Sequence, residues 1–234
     1  MRSHRVEVIV FAIALTVFGL VALALVWSGD WAYAALASAT GNTSATFVIP
    51  PDRRETCGPR MVMDLARLRE LHRAWATYVV GISSVPFGPA CSLFTSDEYA
   101  HMADVRAVFR GAEVAAVLAL FVVAYRISRA RRRGTALRLV RAGALVAAGI
   151  VAVIGVAAAL AFDPLFLLFH DVFFPQGNFL FDPATSNLLR LYPEWYWQGI
   201  TAGVAASFIA LALLAALISQ SALRRRSNTY TRAP

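Results

Sequence analysis

Four stretches of about twenty residues, each apolar enough to lie in hydrocarbon, constrain this chain more than any other feature. Val8–Trp27 carries no charge, and a helix of that length, rising about 1.5 Å per residue, crosses a bilayer core of about 30 Å. Ala142–Phe162 and Gly199–Ser219 are also uncharged. The former is rich in Ala, Val and Gly, as helices packed on other helices often are. Val108–Ile127 has Arg110 and Glu113 near its start, so its unbroken apolar part is only Val114–Tyr125. It spans if those two polar residues sit at the interface, where long side chains snorkel. The chain is 59% hydrophobic and 15% charged, whereas soluble domains run at about 25% charged. A soluble fold of this length cannot hide so much apolar surface. The predicted fold class is therefore an all-α polytopic membrane protein, four transmembrane helices with an extracellular cap.

Charge placement orients the spans. All 22 basic residues are Arg, against 14 acids, for a net charge of +8. Arg2 and Arg5 precede the first span. Arg126, Arg129, Arg131, Arg132, Arg133, Arg138 and Arg141 flank or fill the connection between the second and third, and Arg224, Arg225, Arg226 and Arg232 follow the fourth. Arg concentrates on the cytoplasmic side of membrane proteins. Both termini and the short Arg-rich loop are thus expected in the cytoplasm. The chain then divides into 1–27 (cytoplasmic N-terminus and first span), 28–107 (extracellular cap), 108–127 (second span) and 128–141 (cytoplasmic loop). After these come 142–162 (third span), 163–197 (second extracellular segment), 198–220 (fourth span) and 221–234 (cytoplasmic tail). The basic balance is a topology signal, and nucleic acid is not an expected partner. The first apolar run exceeds a usual signal-peptide core, so a retained anchor is expected rather than a cleaved leader.

In the cap, Leu65, Leu68, Leu71, His72 and Trp75 recur at helical spacing within Met61–Trp75. The β-prone runs Thr46–Ile49 and Thr77–Ile82 are candidates to pair. The only cysteines, Cys57 and Cys91, fall in this loop and are expected to form a disulfide there. From the end of the third span into the second extracellular segment, Phe162 to Phe181 hold seven of the fifteen Phe, followed by Tyr192, Trp195, Tyr196 and Trp197. An interfacial aromatic belt accounts for part of this, but less well for the histidine in its middle.

Of the four His, His4 and His72 are expected to be solvated or packed. His101 lies with Glu98 and Asp104 three residues to either side, on one helix face, where carboxylates would orient the ring and favour its protonated form. His170 lies in Phe169-His170-Asp171-Val172-Phe173-Phe174, after Asp163-Pro164 ends or bends the third span. Both are predicted at the outer membrane interface. No metal-ligand spacing and no serine or cysteine nucleophile with a base appears. General acid–base work on a lipid-like substrate that brings its own nucleophile remains. The other readings are a non-enzymatic polytopic protein for transport or assembly, with the two His far apart, and another interfacial acyltransferase or hydrolase using water.

The run Glu98-Tyr99-Ala100-His101-Met102-Ala103-Asp104-Val105-Arg106 resembles the E-x-x-H-M-x-D-V-[KR] signature of the bacterial lipoprotein intramolecular transacylases. Phe169–Phe174, Phe179–Pro183 and Leu188–Glu194 resemble the family's second block. The sequence departs from that block at Phe179, where an aromatic, often Trp, is usual, and at Asn187, where Asp is common. The resemblance implies a bacterial plasma-membrane enzyme whose substrate is a diacylglyceryl lipoprotein with a free α-amine on its N-terminal Cys. It implies transfer of the sn-2 acyl chain to that amine, giving a lyso-form lipoprotein, with His101 and His170 catalytic. Membrane lipids are the other expected partners, and no cofactor or metal is needed. An amine with pKa about 7.7–8.0 must lose a proton, for which neutral imidazole near 6.5 suits. With Glu98 and Asp104 flanking it, His101 is the expected protonated partner, which leaves His170 as the expected base. Glu98, Tyr99, Asp104, Phe169, Asp171, Phe173, Phe174 and Glu194 are the expected substrate-binding residues around them.

Overall fold

The computed structural model describes residues 2–51, 55, 58–84 and 93–230, and the side chains of all of these except 2, 3 and 228–230. The expected Cys57–Cys91 pairing lies outside them. The elements in chain order are α1 (Arg2–Trp27), α2 (Asp30–Thr40), β1 (Ser44–Val48), β2 (Arg60–Asp64) and α3 (Leu65–Val79). They continue with α4 (Ser96–Arg132), α5 (Ala136–Leu160), α6 (Phe162–Phe173), α7 (Asn187–Leu191) and α8 (Glu194–Tyr230). Among the described residues, four helices are long and apolar enough to cross a membrane: His4–Trp27, Ser96–Arg132, Ala136–Leu160 and Glu194–Ser227. The protein is a multi-pass, mainly helical membrane protein.

The chain forms two compact units. One comprises residues 1–24, 112–160 and 202–234 and packs by small residues. Ala12, Ala144, Ala147, Ala148, Ala212 and Ala216 are buried together with Val151 and Phe208. Between apolar helices in lipid there is little hydrophobic drive, so close backbone approach supplies the attraction. Gly143 permits it for α1 and α5, because a Cβ there would stand 2.2 Å from the Phe11 ring. Gly19 does the same against Phe208. Large apolar side chains such as Phe121, Val153 and Leu217 point outward, 65–71% exposed, as lipid-facing residues do.

The second unit comprises residues 25–111 and 161–201 and has a conventional aromatic core. β1 and β2 pair antiparallel, Ser44 opposite Asp64 and Val48 opposite Arg60. This corrects the expectation that Thr77–Ile82 would be the partner strand: Thr77–Val79 complete α3. The helix expected from Met61 instead begins at Leu65, because Asp64 ends β2 and caps α3, accepting the Arg67 N–H at 2.9 Å. Leu68, Leu71, His72, Trp75 and Val79 form the buried stripe of α3. They meet Tyr33, Phe47, Ile49, Met63, Phe94, Leu188 and Leu191. Asp30 at the start of α2 receives Arg69 and Arg73 of α3, and these guanidiniums hold its carboxyl below the usual carboxylate range.

Two features of this unit set up the site. The first is that α4 continues without a break through residues 96–107, so one rigid helix carries both halves of its first sequence block. The second is α6, a separate helix entered through Ala161 at φ −147° and ψ 55°. Pro164 lies in its first turn, where a missing N–H costs nothing. None of its side chains is buried.

Candidate functional site

His101 projects from the second turn of α4 and His170 from the last turn of α6. Their imidazoles lie nearly parallel, 17° between planes, with centroids 6.2 Å apart. Phe174, 2% exposed, touches both rings, at 4.9 Å from His101 and 5.5 Å from His170. Phe181 closes the other side of His101 at 5.5 Å. Phe166, Phe179 and Phe169 surround His170 at 4.3, 4.9 and 5.5 Å. The Phe cluster is thus a lining around two imidazoles.

The ring nitrogens have separate partners. The Nδ1–H of His170 donates to the carbonyl of Phe166 at 2.7 Å, one helical turn back. A carbonyl only accepts, so His170 carries a proton on Nδ1, and in the neutral ring the lone pair lies on Nε2. Nδ1 of His101 faces Oδ1 of Asn178 at 3.5 Å. Asn178 Nδ2 donates to Asp104 at 2.6 Å, and Gln176 Nε2 donates to the same carboxylate oxygen at 2.8 Å. A tight turn through Gly177, φ +74°, lets residues 176 and 178 reach back to α4. A side chain at that φ would be strained.

The other expected site residues divide. Asp104 reaches His101 only through Asn178. Glu98, expected to face the imidazole, is 1% exposed and turned away from it. Its carboxylate accepts the Thr95 N–H, the Ser186 hydroxyl and the Leu188 N–H at 2.7–2.8 Å, which joins α4 to α7. Tyr99 packs against Trp75 and Phe94 in the core, at 5.3 and 6.3 Å. Glu194 accepts from Gln198 on α8. Asp171, Phe169 and Phe173 are exposed on α6, Phe169 and Phe173 with their rings 4.7 Å apart. Asn178 and Gln176 were missed by the sequence reading. The signal was there: they are the only two amides in the Phe-rich stretch from Phe162 to Phe181.

Four apolar helices and two imidazoles gathered among phenylalanines define a polytopic membrane protein with a paired-histidine site in an apolar lining. The family model of the lipoprotein intramolecular transacylase Lit matches residues 55–197, more than half of the chain, and the chain belongs to that family. The in meso structure of the membrane integral lipoprotein intramolecular transacylase Lit from Bacillus cereus is similar over 97% of this chain and 98% of that one, with a TM-score of 0.73 and 14% identity. Two structures of that protein with one histidine replaced, by Arg and by Ala, give TM-scores of 0.69 and 0.70 at 15% and 14% identity. They cover 97% of this chain and 95% and 96% of theirs. At such identity the likeness concerns the fold. No curated protein matches the sequence.

Proposed function

We propose that this protein moves the sn-2 acyl chain of a bacterial diacylglyceryl lipoprotein onto the α-amine of its N-terminal Cys, with His101 and His170 as the acid–base pair. The observation that carries this reading is the juxtaposition of two imidazoles, 6.2 Å apart, inside an apolar lining. A polytopic protein using these His separately has no need of that arrangement.

In this mechanism the α-amine nitrogen attacks the ester carbonyl carbon and its proton passes to the free Nε2 of His170. The tetrahedral oxyanion needs a donor nearby, which His101 supplies through Nε2 when the pair's one shared proton sits on its ring. The bond from carbonyl carbon to glyceryl sn-2 oxygen then breaks. That oxygen takes a proton from an imidazolium, leaving an amide and a free hydroxyl. Two imidazolium rings at this spacing repel by about 3 kcal/mol at an effective dielectric of about 20, so the pair favours a single shared charge, one acid and one base.

Because donor ester and acceptor amine belong to one molecule, holding them together supplies much of the rate. Effective molarities for well-oriented intramolecular attack reach about 10⁵–10⁸ M. Phe169 and Phe173, exposed on α6, would hold acyl chains beside the amine, while Phe174, buried against both imidazoles, would back the pair rather than touch the chains. The Arg distribution supports cytoplasmic termini and a site at the outer leaflet.

The test is mass spectrometry of lipoprotein N-termini from a host without other N-acylating enzymes, expressing wild type, His101→Ala or His170→Ala. N-acylated, lyso-form Cys is expected with wild type alone. Its absence with wild type would refute the reading.

A further inference from the structure

The amide of Asn178 can lie between Asp104 and His101 in only one sense. A carboxylate oxygen accepts, so the group 2.6 Å from Asp104 is the Asn178 NH2. Its oxygen then faces His101 and also accepts from Gln176 Nε2 at 3.3 Å. Flipping the amide would set oxygen against carboxylate and NH2 against the Gln176 NH2, giving up the charge-assisted bond to Asp104 and the Gln176 contact for at most one bond to the His101 ring. An oxygen opposite His101 Nδ1 requires that this nitrogen carry the proton. At 3.5 Å the contact is long, as hydrogen bonds in unliganded sites often are. His101 is 6% exposed and packs against the rings of His170, Phe174 and Phe181, and among the described residues Asn178 is the hydrogen-bond partner of its ring.

We propose that Asn178, clamped by Asp104 and Gln176, is a positioning residue that fixes His101 as the Nδ1–H tautomer and leaves its Nε2 for proton transfer; the catalytic half of this rests on the acyl-transfer reading above. Both imidazoles then share one arrangement, Nδ1 tied to a protein oxygen and Nε2 open. A carboxylate in direct contact would instead stabilise imidazolium strongly. An interposed amide sets direction while leaving the ring able to give up its proton.

The experiment uses full-length protein labelled with 15N-histidine in detergent, with the His101 signals assigned by their loss in His101→Gln. Wild type should show protonated Nδ1 and bare Nε2. Asn178→Leu, close in shape but without polar atoms, should lose that pattern, and Asn178→Asp, which keeps an oxygen acceptor, should keep Nδ1 protonated while Nε2 loses its proton only at higher pH. On a synthetic diacylglyceryl lipopeptide with a free N-terminal Cys, Asn178→Leu should lower kcat about 10–100-fold, the scale seen when the outer partner of a metal-bound histidine is removed, with KM near wild type. Asn178→Asp should recover part of this, with its acid limb moved to a different pH. Asn178→Ala gives the same comparison if the Leu variant does not fold. A wild-type tautomer in the folded Leu or Ala variant would overturn the assignment. The tautomer measurement needs no substrate, so failure of wild type to transfer an acyl chain would refute the reaction alone.

Discussion

The Glu98 carboxylate accepts the Ser186 hydroxyl proton at 2.7 Å, and Ser186 in turn caps α7 by accepting the Leu189 N–H at 3.2 Å. Two sequence blocks are thereby fastened through one buried acid. Glu98→Ala should remove the partner of three hydrogen-bond donors, and each one left buried costs about 1–3 kcal/mol. Unfolding in detergent should show a loss of about 3 kcal/mol or more for Ala and a smaller one for Gln, which keeps one acceptor oxygen. Equal stability of wild type and Glu98→Ala would show that the acid is not a strut.

If His101 and His170 divide one proton between them, neither works alone. His101→Ala and His170→Ala should each slow acyl transfer by about 10²–10⁴-fold, the usual worth of general acid–base groups. The double variant should be no slower than the worse single, as for residues acting as a unit. Initial rates on the synthetic lipopeptide decide this, and multiplicative losses would argue for independent roles.

Asn187, 1% exposed, acts as a piece of backbone. Its Oδ1 accepts the Val48 N–H at 2.9 Å, and its Nδ2 donates to the carbonyls of Val48 and Leu93. Asn187→Asp keeps the acceptor and loses both donors, setting a carboxylate against two carbonyls. A loss of about 2–3 kcal/mol in unfolding free energy is expected. Asn187→Asp as stable as wild type would mean these bonds contribute little.

These residues also show what the sequence could disclose. Spans are legible because hydrocarbon demands long apolar runs. The same criterion is blind to where a helix extends beyond the apolar stretch, which is why α4 begins at Ser96 and α8 at Glu194 rather than at the membrane-sized segments within them. The short α2 went unread because Asp30–Thr40 directly follows the first span and adds little periodic contrast. The β-prone run at Thr77 became helix because α3 buries Trp75 and Val79 on one stripe, and tertiary burial outweighs local β preference. The pairing of His101 with His170 was legible as two residues at one expected depth. The facing of Glu98 was not, since spacing of three on a helix places a side chain on a face without saying what fills that face. Asn178 acts across a turn, through an amide whose orientation only its neighbours determine.

His72 offers a test of the fold that is independent of any reaction. It is 2% exposed, stacked on Tyr33 at 4.9 Å and flanked by Tyr192 and Tyr196, both at 5.7 Å. Its Nε2–H donates to the Ser28 carbonyl at 3.0 Å, and Nδ1 accepts the Tyr192 hydroxyl at 3.2 Å, so the neutral ring is satisfied. Burial pushes its pKa down to about 4, against smaller opposing effects of the Ser28 and Gly29 backbone and the Asp30 charge. An unfolded chain takes up this proton near pH 6.5 while the folded one does not, so the unfolded state binds more protons between those values. This contribution to stability is therefore complete above about pH 6.5 and falls as pH drops toward 4, by about 3 kcal/mol in all. Below pH 4 it changes no further. Melting curves of wild type and His72→Gln across pH 4–8 should converge on acidification as wild type loses this increment. Parallel curves would mean that His72 titrates alike in both states and that its burial carries no pH-dependent stability.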